Sequence, residues 1–245
     1  MITLDDLQGH WVRDWIKAPG FEDHSTRVHW MQVGHHYADV RVPADRPDIS
    51  EARALCELAA TDLHSLAEAE GFAGHVTLKD RTCTWHREIN WHGTPQSQDV
   101  GTISFDQQGR MIEEGVHADY TERWDQHAGD GAEALKLSND GYAGYLITRG
   151  QIFVLGIGVT AKPASGPLIS ALGAGGIPDG IADLFDGLHA IGHWSGAHGI
   201  ATLATDPFVE QSVVLHRRGE TIGWTRTDFW GNVSELTFGL QSIPT

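Results

Sequence analysis

The feature of this sequence that most constrains its fold is an alternation of apolar and polar residues, interrupted at short intervals by turn sequences. Examples are GHWVRDWI, STRVHWMQV, HYADVRV, GYLITRG and QIFVLGIGV. Successive side chains of a strand point to opposite faces, so this alternation indicates half-buried strands. Arg149-Gly150 has the length of a tight hairpin turn, and residues 106–109 and 218–220 fit slightly longer hairpin loops. The sequence therefore predicts an all-β fold, an antiparallel β-barrel of about ten strands that forms a single domain over residues 1–245.

Two segments break the alternation. Leucines recur near helical spacing across residues 50–70, and Gly71 follows as a plausible stop, so we predict a helix there that covers the barrel. Residues 161–192 are rich in glycine and proline. We interpret this second segment as a long, lid-like connection with a hinge at residues 173–176.

The charge balance excludes several classes of partner. The chain has 17 Lys and Arg against 33 Asp and Glu, a formal net charge of −16 at pH 7. Such a surface repels phosphate backbones and anionic lipids, so we expect neither a nucleic acid nor a membrane as partner. The first residues, MITLDDLQGH, lack the pattern of a secretory signal, and Cys56 and Cys83 lack metal-ligand spacing. The expected location is the cytoplasm.

A tryptophan–arginine pattern recurs on three of the predicted strands. It occurs as Trp11-Val12-Arg13-Asp14-Trp15, as Trp85-His86-Arg87 and as Trp224-Thr225-Arg226. Alternate residues of a strand share a face, so each tryptophan and its arginine are expected on one side, with Trp15 beside them in the first case. We predict that these sides face the barrel interior. A buried arginine needs a carboxylate partner, and its flat guanidinium group can stack on an indole.

The stretch RMIEEGVHADYTERW, read as one strand, supplies candidate carboxylates. Its even-numbered face carries Glu114, Tyr120, Glu122 and Trp124 and is predicted to point inward. In STRVHWMQV the predicted inward face carries Val28, Trp30 and Gln32. The charged groups predicted inside the barrel are therefore Arg13, Arg87, Arg226, Glu114, Glu122 and Asp228.

Gly9-His10-Trp11 on the first predicted strand and Arg226 on a late strand resemble the G-x-W and arginine pair of the calycin superfamily, whose lipocalin-like barrels hold small molecules. In that superfamily the tryptophan and arginine pack together across one end of the barrel. The resemblance therefore implies that Trp11 and Arg226 form a structural clamp. The chain differs from a lipocalin in its greater length, its lack of disulfides and the position of its helix, so the resemblance implies a barrel more than a transport role.

The ionisable groups other than Arg226 leave two interpretations open. They form either a buried network in which the charges pair with one another, or a pocket in which acid–base groups lie beside an arginine that holds an anionic group of a ligand. A carboxyl group shielded from water by indoles has a raised pKa and can transfer a proton near neutral pH. In the pocket interpretation, the candidate catalytic residues are Glu114, Tyr120, Glu122 and Arg87. The candidate ligand-binding residues are Trp11, Arg13, Trp30, Gln32, Trp85, Trp124 and Arg226.

Three functions are compatible with these residues. The first is binding of a small aromatic or apolar molecule with an anionic or carbonyl group in the barrel cavity. The second is cofactor-independent catalysis in the same cavity, by a lyase, hydratase, isomerase or decarboxylase. The predicted interior resembles that of the phenolic acid decarboxylases, which are calycin-like barrels that also combine Arg, Tyr and Glu inside the barrel. The third is a protein-interaction module, which a continuous apolar patch outside the barrel would indicate. A homodimer is a further possibility.

The 15 histidines raise the question of a bound metal or haem. His189 and His193 could share a helix face, but the following SGAHG ends such a helix, and no H-E-x-x-H pattern occurs. The sequence GAGG at residues 173–176 lacks the lysine of a phosphate-binding loop. We therefore expect no metal and no cofactor.

Overall fold

The computed structural model describes residues 2–242, whose strands form two antiparallel sheets. A 3₁₀ helix at Leu4–Leu7 precedes the first sheet. The strands of that sheet are β1 (Gly9–Ala18), β2 (Phe21–Asp23), β3 (Arg27–Val33), β4 (His36–Val42), β5 (Glu70–Lys79), β6 (Thr82–Asn90), β7 (Asp99–Phe105), β8 (Met111–Gly115) and β9 (Thr121–His127).

The second sheet follows directly. Its strands are β10 (Ala132–Ser138), β11 (Tyr142–Arg149), β12 (Ile152–Val159), β13 (Gly187–Ser195), β14 (His198–Ala204), β15 (Val213–Arg218), β16 (Thr221–Thr227), β17 (Val233–Gly239) and β18 (Gln241–Ser242). The helices are α1 (Ala60–Ala67), α2 (Gly166–Gly173) and α3 (Ile181–Leu184), and short 3₁₀ helices occur at Leu55–Glu57 and Pro207–Val209.

Each sheet curls until its edges meet. In the first sheet β9 pairs back onto β1, with His10 opposite His127. In the second sheet β18 comes directly after β17 and pairs with β10 at the other edge, with Leu135 opposite Ser242. Closure of this kind gives the edge strands partners. The described residues therefore form two antiparallel barrels.

The two barrels differ in what fills them. The second barrel is packed with apolar side chains, among them Phe153 and Trp224. The first barrel has an aromatic and aliphatic core, but it also buries the carboxyl groups of Asp39, Glu113 and Glu122. Buried carboxyl groups are costly unless they are paired or protonated. The first barrel is therefore the place to look for a functional site.

The barrels pack against each other through their outer faces. Met31, Val40 and Ile89 of the first barrel lie in one apolar cluster with Ile147 and Val154 of the second. A separate apolar cluster joins α1, α2 and α3 to the loops beside them. That residues 1–245 behave as one domain stays a prediction.

The all-β barrel class is confirmed, but residues 2–242 form eighteen strands in two barrels, where about ten strands in one barrel were expected. One reason is that long alternating runs fold back on themselves. The run HVTLKDRTCTWHREINW turns at Asp80, whose φ is 58°, and so divides between β5 and β6. The predicted turns at Arg149-Gly150, 106–109 and 218–220 do join consecutive strands.

The predicted helix over 50–70 is shorter than expected and consists of Leu55–Glu57 and α1. Gly71 does not end it. Gly71 lies in β5, where a β-carbon would stand 2.1 Å from Cγ of His189. The predicted connection over 161–192 contains α2 and α3, and its last residues belong to β13, so His189 and His193 lie on a strand and not on a helix. None of the helices formed by residues 2–242 has the length and apolar character needed to cross a bilayer.

Candidate functional site

The first barrel is closed at one end and charged at the other. At the closed end, Nε1 of Trp11 donates a 2.9 Å hydrogen bond to the Leu7 carbonyl in the 3₁₀ helix. Gln8 and Gln32 both donate to the Gly34 carbonyl, over 2.9 and 3.0 Å. The opposite end, where β1, β4, β6 and β8 finish, carries the arginines and carboxyl groups described below. An entrance for a ligand is therefore at the charged end.

Three tryptophans meet in the middle of this barrel. Trp30 packs edge-to-face against Trp85 and Trp124, with ring centroids 6.2 and 6.1 Å apart. With Tyr37 and Phe72 they line an inner cavity of about 10 Å³, which is room for about one water molecule. Within residues 2–242, Nε1 of Trp30, Nε1 of Trp124 and the hydroxyl of Tyr37 are buried without hydrogen-bond partners. The side chains around the inner cavity thus carry unused donors.

Arg13 is part of the wall at the charged end. Its Nη1 donates to Oε1 of Glu122 over 2.7 Å, and its Nη2 donates to Oδ2 of Asp23 over 3.2 Å. Nη1 of Arg41 lies 3.8 Å from the same oxygen of Glu122. The Arg13 and Glu122 side chains are only 7% and 2% exposed, so their attraction is weakly screened. Glu122 is therefore a buried counter-ion between two guanidinium groups.

Arg41 and Arg87 both lie against the Phe72 ring, with guanidinium carbons 4.9 and 3.4 Å from its centroid. Nε of Arg41 donates to both oxygens of Asp39, and burial still raises the pKa of Asp39 to about 6. Arg87 donates to Oδ2 of Asp99 through Nε over 3.1 Å and through Nη2 over 2.6 Å. Nη1 of Arg87 has no hydrogen bond to another residue within 2–242, so it is available to a ligand.

Glu113 is a buried acid in contact with a phenol. Its side chain is 5% exposed, and burial together with the charge of Glu122 raises the pKa of Glu113 well above its ordinary value. The hydroxyl of Tyr120 donates to Oε1 of Glu113 over 2.7 Å, and burial also raises the pKa of Tyr120. At neutral pH the pair therefore consists of a neutral carboxylic acid and a neutral phenol, and such groups can donate protons to a substrate.

A larger cavity of about 390 Å³ opens at the charged end. Phe72 and Asp99 line both this outer cavity and the inner one, so the two adjoin. Other lining residues are Glu70, Arg87, Asn90, Tyr120, Ser165 and Ile169. Small-molecule sites occupy roughly 300–1,000 Å³, so the outer cavity has the size of a ligand site.

The structure places several predicted site residues at these cavities: Arg87 and Tyr120 at the outer one, and Trp30, Trp85 and Trp124 at the inner one. Arg13 and Glu122 lie close by, paired within the wall. Trp11 and Gln32 are buried in the first barrel but belong to its closed end. A role of any of these residues in binding or catalysis stays a prediction.

Glu114 is exposed, contrary to the prediction, and Glu113 takes the inward position. In the antiparallel pair β8–β9, Glu113 is opposite Glu122 and Met111 is opposite Trp124. Directly opposite residues share a face of a sheet, so odd-numbered residues of β8 share the face of even-numbered residues of β9. Reading RMIEEGVHADYTERW as one strand misses this reversal at the turn.

Trp15 does not share the inward face of Arg13. Arg13 is opposite Trp124, but the register shifts before the next pair, in which Trp15 is opposite Arg123. This β-bulge turns Trp15 outward. The cations over its ring are Lys17 at 4.9 Å and Arg123 at 5.3 Å, both from the outer side of the barrel.

Arg226 belongs to the second barrel, whereas Trp11 is in the core of the first. Nε of Arg226 donates to Oδ1 of Asp186 over 3.0 Å, and its guanidinium carbon lies 5.7 Å from the centroid of the Tyr142 ring. The prediction that Trp11 and Arg226 form a clamp is therefore wrong, because the two residues lie in different barrels. Asp228, also predicted inside, accepts hydrogen bonds within its own turn instead.

Sequence reasoning misses Asp39, Arg41, Asp99 and Glu113. Tyr37, Asp39 and Arg41 alternate in HYADVRV, and the rule applied to the Trp-x-Arg strands would have placed them on one face. Asp99 follows a loop and carries no comparable pattern. Asp39 and Arg41 could therefore have been found from local alternation, whereas the position of Asp99 depends on the pairing of distant strands.

No family model matches the sequence, and no curated protein matches it. Among solved structures, the chain is similar to the uncharacterized protein YLR301w from Saccharomyces cerevisiae, with a TM-score of 0.55 and 12% sequence identity. The match covers 96% of this chain and 98% of that chain, so it extends over both barrels. At this identity the likeness supports the fold alone. The predicted homodimer and cytoplasmic location stay predictions.

Proposed function

We propose that the first barrel binds a small, neutral molecule that carries an aromatic ring and a carbonyl group. The observation that carries this proposal is the outer cavity of about 390 Å³ at the charged end of a barrel whose other end is closed. The Arg87 guanidinium group lies on the Phe72 ring with one face, and its other face offers a flat surface for an aromatic ring. Nη1 of Arg87 offers a charged donor to a carbonyl oxygen. Small-molecule binding is also compatible with a closed antiparallel barrel.

The charges at this end favour a neutral ligand over an anion. The arginines there are Arg13, Arg41 and Arg87, and each already has a carboxylate partner. The carboxyl groups of Glu70 and Asp99 also line the outer cavity. An anion would lose its hydration without meeting an excess of positive charge. A carbonyl oxygen needs only a hydrogen-bond donor, so we narrow the expected ligand to a neutral carbonyl compound.

The test is a titration with three matched compounds: an aryl ketone, the corresponding aryl carboxylate and the corresponding alkylbenzene. Tryptophan fluorescence and calorimetry report binding to the wild type, Arg87→Met and Arg226→Met. Arg226 is a matched control because both arginine side chains are 22% exposed and each pairs with a carboxylate. Loss of a charged hydrogen bond should weaken ketone binding in Arg87→Met by roughly 10- to 100-fold.

Arg226→Met should leave the affinity unchanged. The proposal fails if no panel compound binds, if the carboxylate binds more tightly than the ketone, or if both arginine variants weaken binding equally.

A second candidate function, proton-transfer catalysis without a cofactor, is favoured by the contact between Tyr120 and Glu113. Glu113 lines the inner cavity and Tyr120 the outer one, so the proton would reach a substrate through the phenol. Once its hydroxyl turns to the substrate, Tyr120 could donate its proton there and take the proton of Glu113 in its place, and the carboxylate of Glu113 would then accept a proton from the product or from water. This chemistry fits a lyase, hydratase, isomerase or decarboxylase. Glu113 takes the role for which the sequence suggested Glu114.

This candidate is tested by incubating the bound compounds with the protein and following products by mass spectrometry. Glu113→Gln should abolish turnover and keep ligand affinity within about tenfold, because the amide fills the same space without an acidic proton. Glu114→Gln is the control, since this neighbouring glutamate is exposed. Equal turnover in the wild type and Glu113→Gln would exclude Glu113 as the acid.

A further inference from the structure

Three histidines from neighbouring strands meet on the outer face of the first barrel, away from both cavities. His10 is on β1, His29 on β3 and His127 on β9. Trp11 and Trp30, which follow His10 and His29, are buried in the barrel core, so the two histidines point outward. His10 is directly opposite His127 in the pairing of β1 with β9, so His127 shares their face.

The spacing of these rings suits a shared ion. Nε2 of His10 lies 3.0 Å from Nδ1 of His29, and the two nitrogens share a hydrogen bond whose proton a metal ion would displace. The ring centroid of His10 is 5.2 Å from that of His29 and 5.2 Å from that of His127. Two imidazole nitrogens bound to one tetrahedral zinc ion, each at about 2.05 Å, lie about 3.3 Å apart. The nitrogens of His10 and His29 are therefore within a few tenths of an ångström of this chelating distance.

We propose that His10, His29 and His127 bind a divalent late transition-metal ion such as Zn²⁺. Within residues 2–242, no three His, Cys, Asp or Glu side chains are placed so that they could hold a metal ion without a side chain moving. His10 and His29 are thus the preformed pair, and His127, which is exposed, completes the site by rotating its side chain. Three imidazoles leave the fourth tetrahedral position to water. Imidazole ligands suit Zn²⁺, Cu²⁺ and Ni²⁺.

The charges around the three rings act in both directions. The positive charge of Arg27 near His29 opposes a cation. Asp125, two residues before His127 on the same strand, brings a negative charge to the same face.

Calorimetry with Zn²⁺ tests the site in tag-free protein that has been stripped of metal with a chelator. We expect saturable binding of one ion. Loss of an imidazole ligand should weaken binding by at least about 10- to 100-fold in His29→Ala and in His127→Ala. His198→Ala is the matched control, because His198 and His216 form another histidine pair with ring centroids 5.3 Å apart.

His127→Ala is the decisive variant, since an exposed side chain can be removed without disturbing the fold. With Co²⁺ in place of Zn²⁺, the wild type should show the intense visible absorption of tetrahedral coordination, and His127→Ala should lose it. The proposal is overturned if the wild type takes up no ion, if His127→Ala binds as tightly as the wild type, or if His198→Ala weakens binding to the same extent. None of these outcomes bears on ligand binding at the other face of the barrel wall.

Discussion

The hydroxyl of Tyr120 donates a 2.7 Å hydrogen bond to Oε1 of Glu113 across the turn that joins β8 to β9. Tyr120 lines the outer cavity and Glu113 lines the inner one, so the bond connects the two spaces. Both groups are neutral at neutral pH because burial raises the pKa of each. A buried acid of this kind affects how stability depends on pH.

We expect Glu113 to destabilise the protein as pH rises above the ordinary pKa of glutamate. Its pKa is higher in the folded state than in the unfolded state, so over this range the folded state binds more protons and the free energy of unfolding falls with pH. Asp39, with a pKa of about 6, acts in the same direction. Glu113→Gln should therefore melt at a higher temperature than the wild type near pH 8, with a smaller difference near pH 5.

The measurement is the melting temperature between pH 5 and pH 8. It compares the wild type with Glu113→Gln and with the exposed control Glu114→Gln. Glu114→Gln should follow the wild type. If Glu113→Gln instead runs parallel to the wild type at every pH, Glu113 is ionised in the folded protein.

The pair of Arg13 and Glu122 should be important for stability. Replacing Arg13 with Met leaves a buried carboxylate whose other cation, Arg41, is 3.8 Å away. Breaking a buried ion pair on one side costs about 3–5 kcal/mol. Lys17→Met is the control, because Lys17 and Glu22 are 49% and 48% exposed. Solvent screens an exposed pair of this kind, so its loss should cost far less than the loss of Arg13. Urea unfolding measures both, and equal losses would contradict the assigned role of Arg13.

Gly71 should tolerate no side chain. A β-carbon there would lie 2.1 Å from Cγ of His189, where the two barrels meet. Gly71→Ala is therefore expected to destabilise the protein by about 1–3 kcal/mol or more, as overpacking does. Gly239→Ala is the control, since a β-carbon at Gly239 meets nothing within 4 Å. Similar unfolding midpoints for the two variants would show that the barrels separate easily at this point.

His189 should make the fold sensitive to acid. Burial lowers the pKa of His189 to about 3, and its Nδ1 lies 3.2 Å from the Asp39 carbonyl oxygen. The unfolded chain binds a proton at this residue below its ordinary pKa, whereas the folded chain does not, so stability falls as pH drops through this range. Nitrogen-15 NMR near pH 5 should show a neutral ring for His189. A protonated ring at that pH would contradict the burial of this side chain.

Much of the fold follows from local patterns. Alternation correctly places Trp30 and Gln32 together inside the first barrel, and it does the same for Trp85 and Arg87. The spacing of the leucines in residues 50–70 correctly identifies them as buried. These features depend only on neighbours along the chain, which is the information that a period of two or of 3.6 residues contains.

The rest depends on pairing between distant strands. Because of the turn between β8 and β9, Glu113 and not Glu114 points into the barrel. A single β-bulge in β1 places Trp15 on the outer face. The division into two barrels separates Arg226 from Trp11. A shift of one residue in register moves a side chain to the opposite face, and local alternation contains no information about such shifts. The candidate site was therefore harder to predict than the strands that build it.

The way in which each barrel closes also determines when it can be completed during synthesis. β1 finds its last partner only when β9 has been made, and β10 finds its last partner only when β18 has been made. Contacts between such distant residues form slowly, because the entropy of loop closure is lost before the contacts are gained. The first ring ends before the second begins. On the ribosome we therefore expect two successive folding steps, in which the barrel that holds both cavities is finished while the second is still emerging.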